Sequence, residues 1–387
     1  MTYKAKIVNF ELVYPKTDDA NTELFDYILS EITSAAQARY NAIIGLMLID
    51  GFLYKNDDTF YLMLQRINIE CNKLGIEKVV LVAGMCEQYQ HKLDSMNIPF
   101  EIMFFDFNLN MVYQSYKDKL DTLPEWNPTA NKFLFLSGVP SRPNRITLLY
   151  KFYKAGMLSH ANWSFFAPWT TEDKLWCRNE LKELTDAEYT EFLEYCNRSV
   201  DSLYNDAKDY SRLSRQEIKE KNIHDKTWCT DPSWIDPSIF SNTSFSVISE
   251  GNAYAPATDY KFLTEKTWRA ILNKHPFILA GEPDQYAYLK ARGIRSFTEY
   301  FKIPDYHLQQ NDRDRFDSII ENTKYFLNDT TNKQIKEDIN YNYYLFFTEA
   351  IKNQQVLDTI KIRYNVPANE IDTWFSQKSF IHIAKVV

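Results

Sequence analysis

Residues 245–281 read FSVISEGNAYAPATDYKFLTEKTWRAILNKHPFILAG, and this stretch constrains the fold more than any other. The apolar run 245–248 has the length and composition of a buried strand. A polar loop with a carboxylate follows. Thr264 then stands before a run with helical spacing, where its hydroxyl can accept a hydrogen bond from the first turn of a helix. A second apolar run, 276–280, closes on Gly281. Strand, loop, helix and strand in this order form the repeating unit of a mostly parallel sheet with helices on its faces.

The same order brings four side chains of three chemical kinds to one crevice. Glu250 directly follows the first strand, and ligands of open α/β sheets lie outside the carboxyl ends of strands. Glu265 and Lys266 open the helix, whose N-terminus offers free N–H groups and a partial positive charge to phosphate. Lys266 adds a full charge, and Glu265 can accept hydrogen bonds from sugar hydroxyls more strongly than an amide can. Tyr260 supplies a ring for stacking. An acid, a ring and a cation at the mouth of a sheet suit a sugar nucleotide. A Thr-Glu-Lys triplet in isolation is more simply a favoured helix start with a solvated lysine; the flanking strands give it the other reading.

The remainder alternates in the same way. Residues 6–14, 78–83 and 100–105 have strand patterns, whereas 22–49, 59–74 and 87–96 have helical ones. A polar stretch with two prolines, between Tyr113 and Asn131, marks the best domain boundary. The chain is thus expected to form an α/β protein with domains at 1–130 and 131–352. The tail, 353–387, is expected to pack back on the first domain. In the second domain, 133–136 is a strand, 145–155 a helix ending at Gly156, and Thr185-x-x-Glu188 a candidate capping box. Helices are also expected at 284–292, 312–327 and 332–351.

A second patch, FLFLSGVPSRPNRITLL at 133–149, runs from a strand through a Ser-Gly-Pro turn into a helix. Arg142 and Arg145 flank its start. Two guanidinium groups beside a helix N-terminus fit a diphosphate, which Arg grips bidentately.

The 245–281 segment resembles the donor-binding motif of the α1,3-fucosyltransferase family: an acidic–Asn pair, a spacer, Asp-Tyr-x-Thr-Glu-Lys, a helix, an apolar strand and glycine. Glu250 and Asn252 stand in the acidic–Asn region, with Gly251 between them. Asp259, Tyr260, Thr264, Glu265 and Lys266 follow, with two extra residues before the Leu-Thr-Glu-Lys. His275-Pro276-Phe277 replaces the Val-Pro-Val end. The continuation into YLKARGIRSF, 288–297, is also similar to glycosyltransferases encoded by tailed phages. The match covers about 60 residues. Arg145 matches the family's phosphate-binding arginine, and Arg142 is its neighbour. The resemblance implies two Rossmann-like domains facing a cleft, the GT-B architecture. It also implies an inverting hexosyl- or pentosyltransferase that uses a nucleotide sugar, such as a UDP- or GDP-sugar, as substrate and needs no separate cofactor.

An inverting transfer needs a carboxylate to take the acceptor's proton. The matched motifs do not reach it. Glu87 and Asp106, which follow strand patterns of the first domain, are the leading candidates, and Asp50 and Glu11 are weaker ones. The run NWSFFAPW at 162–169 is either an acceptor platform or core with a buried turn.

Bulk properties narrow the classes. The net charge of −8 excludes a global basic field for nucleic acid. Five cysteines, at 71, 86, 177, 196 and 229, have no C-x-x-C spacing, and six histidines form no metal motif. Asp312-Arg313-Asp314 starts a helical run instead of ending a strand, so no metal site is expected there. No stretch reaches the length of a membrane span, and no signal peptide opens the chain. The expected location is cytoplasmic, or the host cytoplasm if phage-encoded. The fucosyltransferase likeness suggests a glycan or a lipid-linked saccharide as the acceptor. The phage likeness raises a hydroxymethylated base in DNA as an alternative, for which the basic stretch 208–226 could track phosphate. A non-catalytic sugar-nucleotide-binding module is the third reading.

Overall fold

The computed structural model describes residues 3–10, 18–47, 58–84, 87–136, 143–164, 171–198, 235, 237–251, 253, 263–328 and 333–375. The protein is α/β, and the described residues form two sheets of four parallel strands each. Two compact units divide the chain.

The first unit carries β1 (Ala5–Asn9), β2 (Ala42–Met47), β3 (Lys78–Ala83) and β4 (Glu101–Phe104), paired in sequence order. Helices α1 (Asp18–Gln37), α2 (Asp58–Lys73) and α3 (Glu87–Ser95) connect them. All three pack with Val8, Ile43, Val79 and Leu81 in one apolar cluster. The alternate residues of the same strands, Ile7, Ile44, Val80 and Val82, pack with α4 (Phe107–Tyr116) and with Ile360, Tyr364, Ile371 and Phe375 near the C-terminus. Both faces are therefore covered, as an all-parallel sheet requires.

The sequence pattern at 22–49 suggests helix throughout, yet β2 occupies its second half. The helix ends near Arg39, whose positive φ of 60° breaks it. AIIGLM is then buried on every residue. A strand buried on both faces shows no alternation, so periodicity cannot separate it from a buried helix. Gly45 in this strand is required by close approach, because a Cβ there would lie 2.8 Å from the Leu81 side chain.

The second unit begins at Ser115, earlier than the proline-rich boundary expected at 130/131. The reason is hydrogen bonding. Trp126 Nε1 donates to the Ser244 carbonyl, Asn127 Nδ2 to the Ser241 carbonyl and Tyr116 Oη to the Ile235 carbonyl. Lys274 pairs with Glu125. The turn-rich segment is thereby built into the second unit rather than acting as a linker. The chain returns to the first unit at Thr348, inside one continuous helix, Lys333–Arg363, so the tail does not begin as a separate element at 353. The backbone N–H groups of Tyr3 and Ala5 donate to the carbonyls of Arg363 and Tyr364, tying the end of that helix to β1.

The second sheet holds β5 (Phe133–Leu136), β6 (Ala161–Ser164), β7 (Phe245–Ser249) and β8 (Phe277–Ala280), in the spatial order β6-β5-β7-β8. Helices α5 (Pro143–Lys154), α6 (Thr171–Glu180), α7 (Asp186–Arg198) and the single turn α8 (Ser238–Ser241) precede β7. After it come α9 (Glu265–Leu272), α10 (Gln285–Ala291), α11 (Asp312–Asn328), α12 (Lys333–Arg363) and α13 (Ala368–Phe375). Helix α7 starts with the expected capping box, in which Thr185 N donates to Glu188 Oε2 and Glu188 N to Thr185 Oγ1. The aromatic run expected to be platform or core opens as β6, with Trp163 buried; its end, 165–169, lies outside the described residues.

Among the described residues β8 is an edge strand, and unpaired edge groups invite wrong pairing. Two tyrosines block it. Leu279 N donates to Tyr286 Oη and Tyr306 Oη, and Tyr306 Oη donates to the Leu279 carbonyl at 2.6 Å.

Candidate functional site

The strand order of the second sheet contains one reversal. The chain leaves β5 for β6 on one side, then returns to place β7 on the other side of β5. Parallel strands share one C-terminal edge, and ligands of open α/β sheets bind at that edge where the order reverses. The first sheet runs β1-β2-β3-β4 without a reversal. Topology therefore directs attention to the carboxyl ends of β5 and β7.

Three elements meet there: the start of α5, the end of β7 and the start of α9. Asn144, buried in the first turn of α5, donates through Nδ2 to Ser249 Oγ at 2.7 Å and to the Glu250 carbonyl at 3.1 Å. Glu250 in turn reaches α9. Its carboxylate accepts from Thr264 N at 3.2 and 3.3 Å and from Thr267 Oγ1 at 2.5 Å. Thr264 is the N-cap of α9, accepting from Lys266 N at 3.3 Å. The local sequence explains this helix start, because a Thr followed by an acidic residue satisfies orphan N–H groups and favours the positive end of the helix dipole.

Charge is concentrated on the first two turns of α9. Lys266 Nζ lies 2.9 Å from Glu265 Oε1, and Arg269, one turn on, lies 3.6 Å from the same oxygen. Burial alone would raise the Glu265 carboxyl. The cations Lys266, Arg269 and Arg145 overcome it and hold the group at about 2, so Glu265 is ionised at neutral pH. Burial pushes the Lys266 ammonium down, against the pull of Glu265, and the positive charge of Arg145 lowers it further. Arg145, in the first turn of α5, thus acts on both residues at the start of α9. Glu250 differs from Glu265. Burial is its dominant influence and raises its carboxyl, against Lys266 and the hydrogen bonds from Thr264 and Thr267. A recess bordered by Leu134, Leu136, Phe240, Ile248, Lys266 and Arg269 adjoins these charges.

The structure therefore brings together Arg145, Glu250, Thr264, Glu265 and Lys266. Arg142, Asn252 and Tyr260 lie outside the described residues, as do Glu11, Asp50 and the stretch 208–226. In the first unit, Glu87 opens α3 after β3. Asp106 is buried before α4, where Oδ1 accepts from Leu109 N at 2.9 Å, and its backbone exchanges two hydrogen bonds with the Asn353 amide. That carboxylate serves as a helix cap. Asp312, the first acid of the Asp-x-Asp sequence, pairs with buried Arg315, whose guanidinium also holds the Ala253 carbonyl. Among the described residues, no cluster of three or more His, Cys, Asp or Glu side chains is arranged to hold a metal ion. Among them too, no helix is long and apolar enough to cross a membrane.

Sequence reasoning missed Asn144, Ser249, Thr267 and Arg269. Arg269 carried a signal, the i,i+4 spacing from Glu265 that favours an acid–base pair on a helix. The other three make contacts between elements distant in the chain, and no local pattern announces them.

The sequence matches no family model, no curated protein and no solved structure.

Proposed function

We propose that the second unit binds a nucleotide sugar at the C-terminal edge of β5 and β7, and that the protein is a glycosyltransferase of the GT-B class. The observation that carries the reading is the convergence of two helix N-termini with Arg145, Lys266 and Arg269 at the reversal of strand order. Helix N-termini and cations together make a site for a diphosphate. Arg145 and Lys266 would offset charge building on the departing nucleoside diphosphate as the sugar leaves, an electrostatic stabilisation aimed at the transition state. Glu265, held ionised between cations, would accept hydrogen bonds from ribose or sugar hydroxyls. The likeness to α1,3-fucosyltransferases supports an inverting transfer to a glycan hydroxyl. Such a transfer needs a carboxylate to take the acceptor's proton; of the two candidates, Asp106 is committed to capping α4, which leaves Glu87 at the start of α3.

The test is a thermal-shift panel of UDP-, GDP-, CMP- and dTDP-sugars on the wild type and on Lys266→Ala. A donor present at 100 times its Kd stabilises the folded state by about 2.7 kcal/mol. A shift with one donor that disappears in Lys266→Ala supports the reading. A shift that persists undiminished in the variant removes Lys266 from the site, and no shift with any donor removes the proposal.

A further inference from the structure

The likeness to fucosyltransferases casts Glu250 as a donor contact, but its surroundings assign it different work. In a capping box the N-cap side chain accepts from the first turn, and a Glu or Gln at the third helical position reaches back to the N-cap N–H. Helix α9 has the first half, Thr264 Oγ1 accepting from Lys266 N. Its third position is Thr267, which lacks the reach and the carboxylate for the second half. Glu250 supplies both from the end of β7. Its two oxygens take the Thr264 N–H at 3.2 and 3.3 Å, and Oε1 takes the Thr267 hydroxyl at 2.5 Å.

We propose that Glu250 is a positioning residue: it completes the capping box of α9 from the neighbouring strand and so sets where the first-turn amides and Lys266 present themselves to a diphosphate. The inference rests on the nucleotide-binding reading of this site for its consequence, although not for its geometry. Three observations support it over direct contact with ligand. Glu250 is 2% exposed, which leaves little surface for a ligand to touch. The donors around it come from the helix it would hold. Its own backbone is fixed on both sides, Glu250 N donating to the Ala280 carbonyl and the Glu250 carbonyl accepting from Asn144. A strand end held by hydrogen bonds on both sides is thereby coupled to a helix start 14 positions further along the chain. Second partners of this kind orient the groups that meet a ligand, so that less freedom is lost on binding.

Two measurements test it, using Glu250→Ala and the isosteric Thr267→Val. In the ligand-free protein, amide hydrogen exchange at Thr264 and Lys266 should quicken by about tenfold or more in Glu250→Ala and by less in Thr267→Val, since the acceptor of the Thr264 N–H is removed outright only in the first. In calorimetry, inorganic pyrophosphate, UDP and GDP should all lose affinity by the same factor in each variant, because all three reach Glu250 only through the α9 start. A loss confined to UDP and GDP, with pyrophosphate unaffected, would mean that Glu250 touches ribose or base and would overturn the proposal. Unchanged exchange at Thr264 in Thr267→Val and Glu250→Ala would do so as well. Where Glu250→Ala does not fold, Thr267→Val alone decides between these outcomes. If the wild type binds none of the three ligands, the nucleotide reading falls, and the exchange arm still decides whether Glu250 caps the helix.

Discussion

Asn144 Nδ2 lies 2.7 Å from Ser249 Oγ, joining the first turn of α5 to the last residue of β7 across 105 positions of sequence. Both side chains are buried. This contact spans the reversal of strand order and fixes the separation between Arg145 and the residues after β7. Asn144→Ala leaves the Ser249 hydroxyl and the Glu250 carbonyl short of a donor. A buried polar group left unsatisfied costs about 1–3 kcal/mol. Urea unfolding should show a loss of that size, with the slope of the transition unchanged.

Arg145 and Lys266 act on one another and on Glu265. Residues that share a partner couple, whereas distant ones add. Binding of a nucleoside diphosphate should therefore fall in Arg145→Ala and in Lys266→Ala. The double variant should lose about 0.5 kcal/mol or more less than the sum of the two. Calorimetry on the four proteins measures the coupling, and strict additivity would place the two cations in separate sites.

His275 gives a separate handle on stability. Its Nε2 lies 2.9 Å from the Thr243 carbonyl, which can only accept, so Nε2 carries the proton and Nδ1 accepts from Ser246 Oγ at 2.7 Å. Burial holds the imidazole down at about 4, below the ordinary 6.5. Above pH 6.5 neither state binds a proton. Between 6.5 and 4 the unfolded chain binds one that the folded chain refuses, so stability falls as pH drops through that window, and the fall ends below 4. The size is about 3 kcal/mol. Urea midpoints measured from pH 7.5 to 4 should show this decline, and His275→Gln should flatten it.

The two acids of the site move stability in opposite directions. Glu265 is held at about 2, below the usual 4.5. Its contribution is complete above 4.5 and is lost as pH falls through 2. The lowered ammonium of Lys266 opposes part of that gain, since burying it costs free energy in the charged state. Glu250 is raised by burial, so the folded state takes up a proton first and stability improves as pH falls through its folded value towards 4.5. Glu265→Gln should therefore weaken the acid limb of unfolding below pH 4.5. Glu250→Gln should remove the gain in stability that appears on acidification at pH values above it. Chemical denaturation across pH 2–7 separates the two.

Much of the second unit could be read from residue order. The apolar run of β7, the capping Thr264 and the acid and base after it are neighbours in sequence, and strand and helix propensities act over neighbours. The helix of Asp58–Lys73 and the strand of Lys78–Ala83 were legible for the same reason. Strand β2 was not, because it is buried on both faces and carries no alternation. The boundary at Ser115 was not, because the hydrogen bonds of Trp126 and Asn127 join them to residues more than a hundred positions away.

By itself, the sequence determined which segments form strands and helices over most of the chain, and that Arg145, Glu265 and Lys266 stand at helix starts. Only the tertiary structure decided that β5 lies beside β7, that Asn144 bridges them, and that Glu250 turns inward to Thr264 and Thr267. The physical reason is range. Backbone preference and capping act within a turn or two of the chain. Strand order and buried hydrogen bonds depend on which distant surfaces exclude water together, and that is settled only when the sheet assembles.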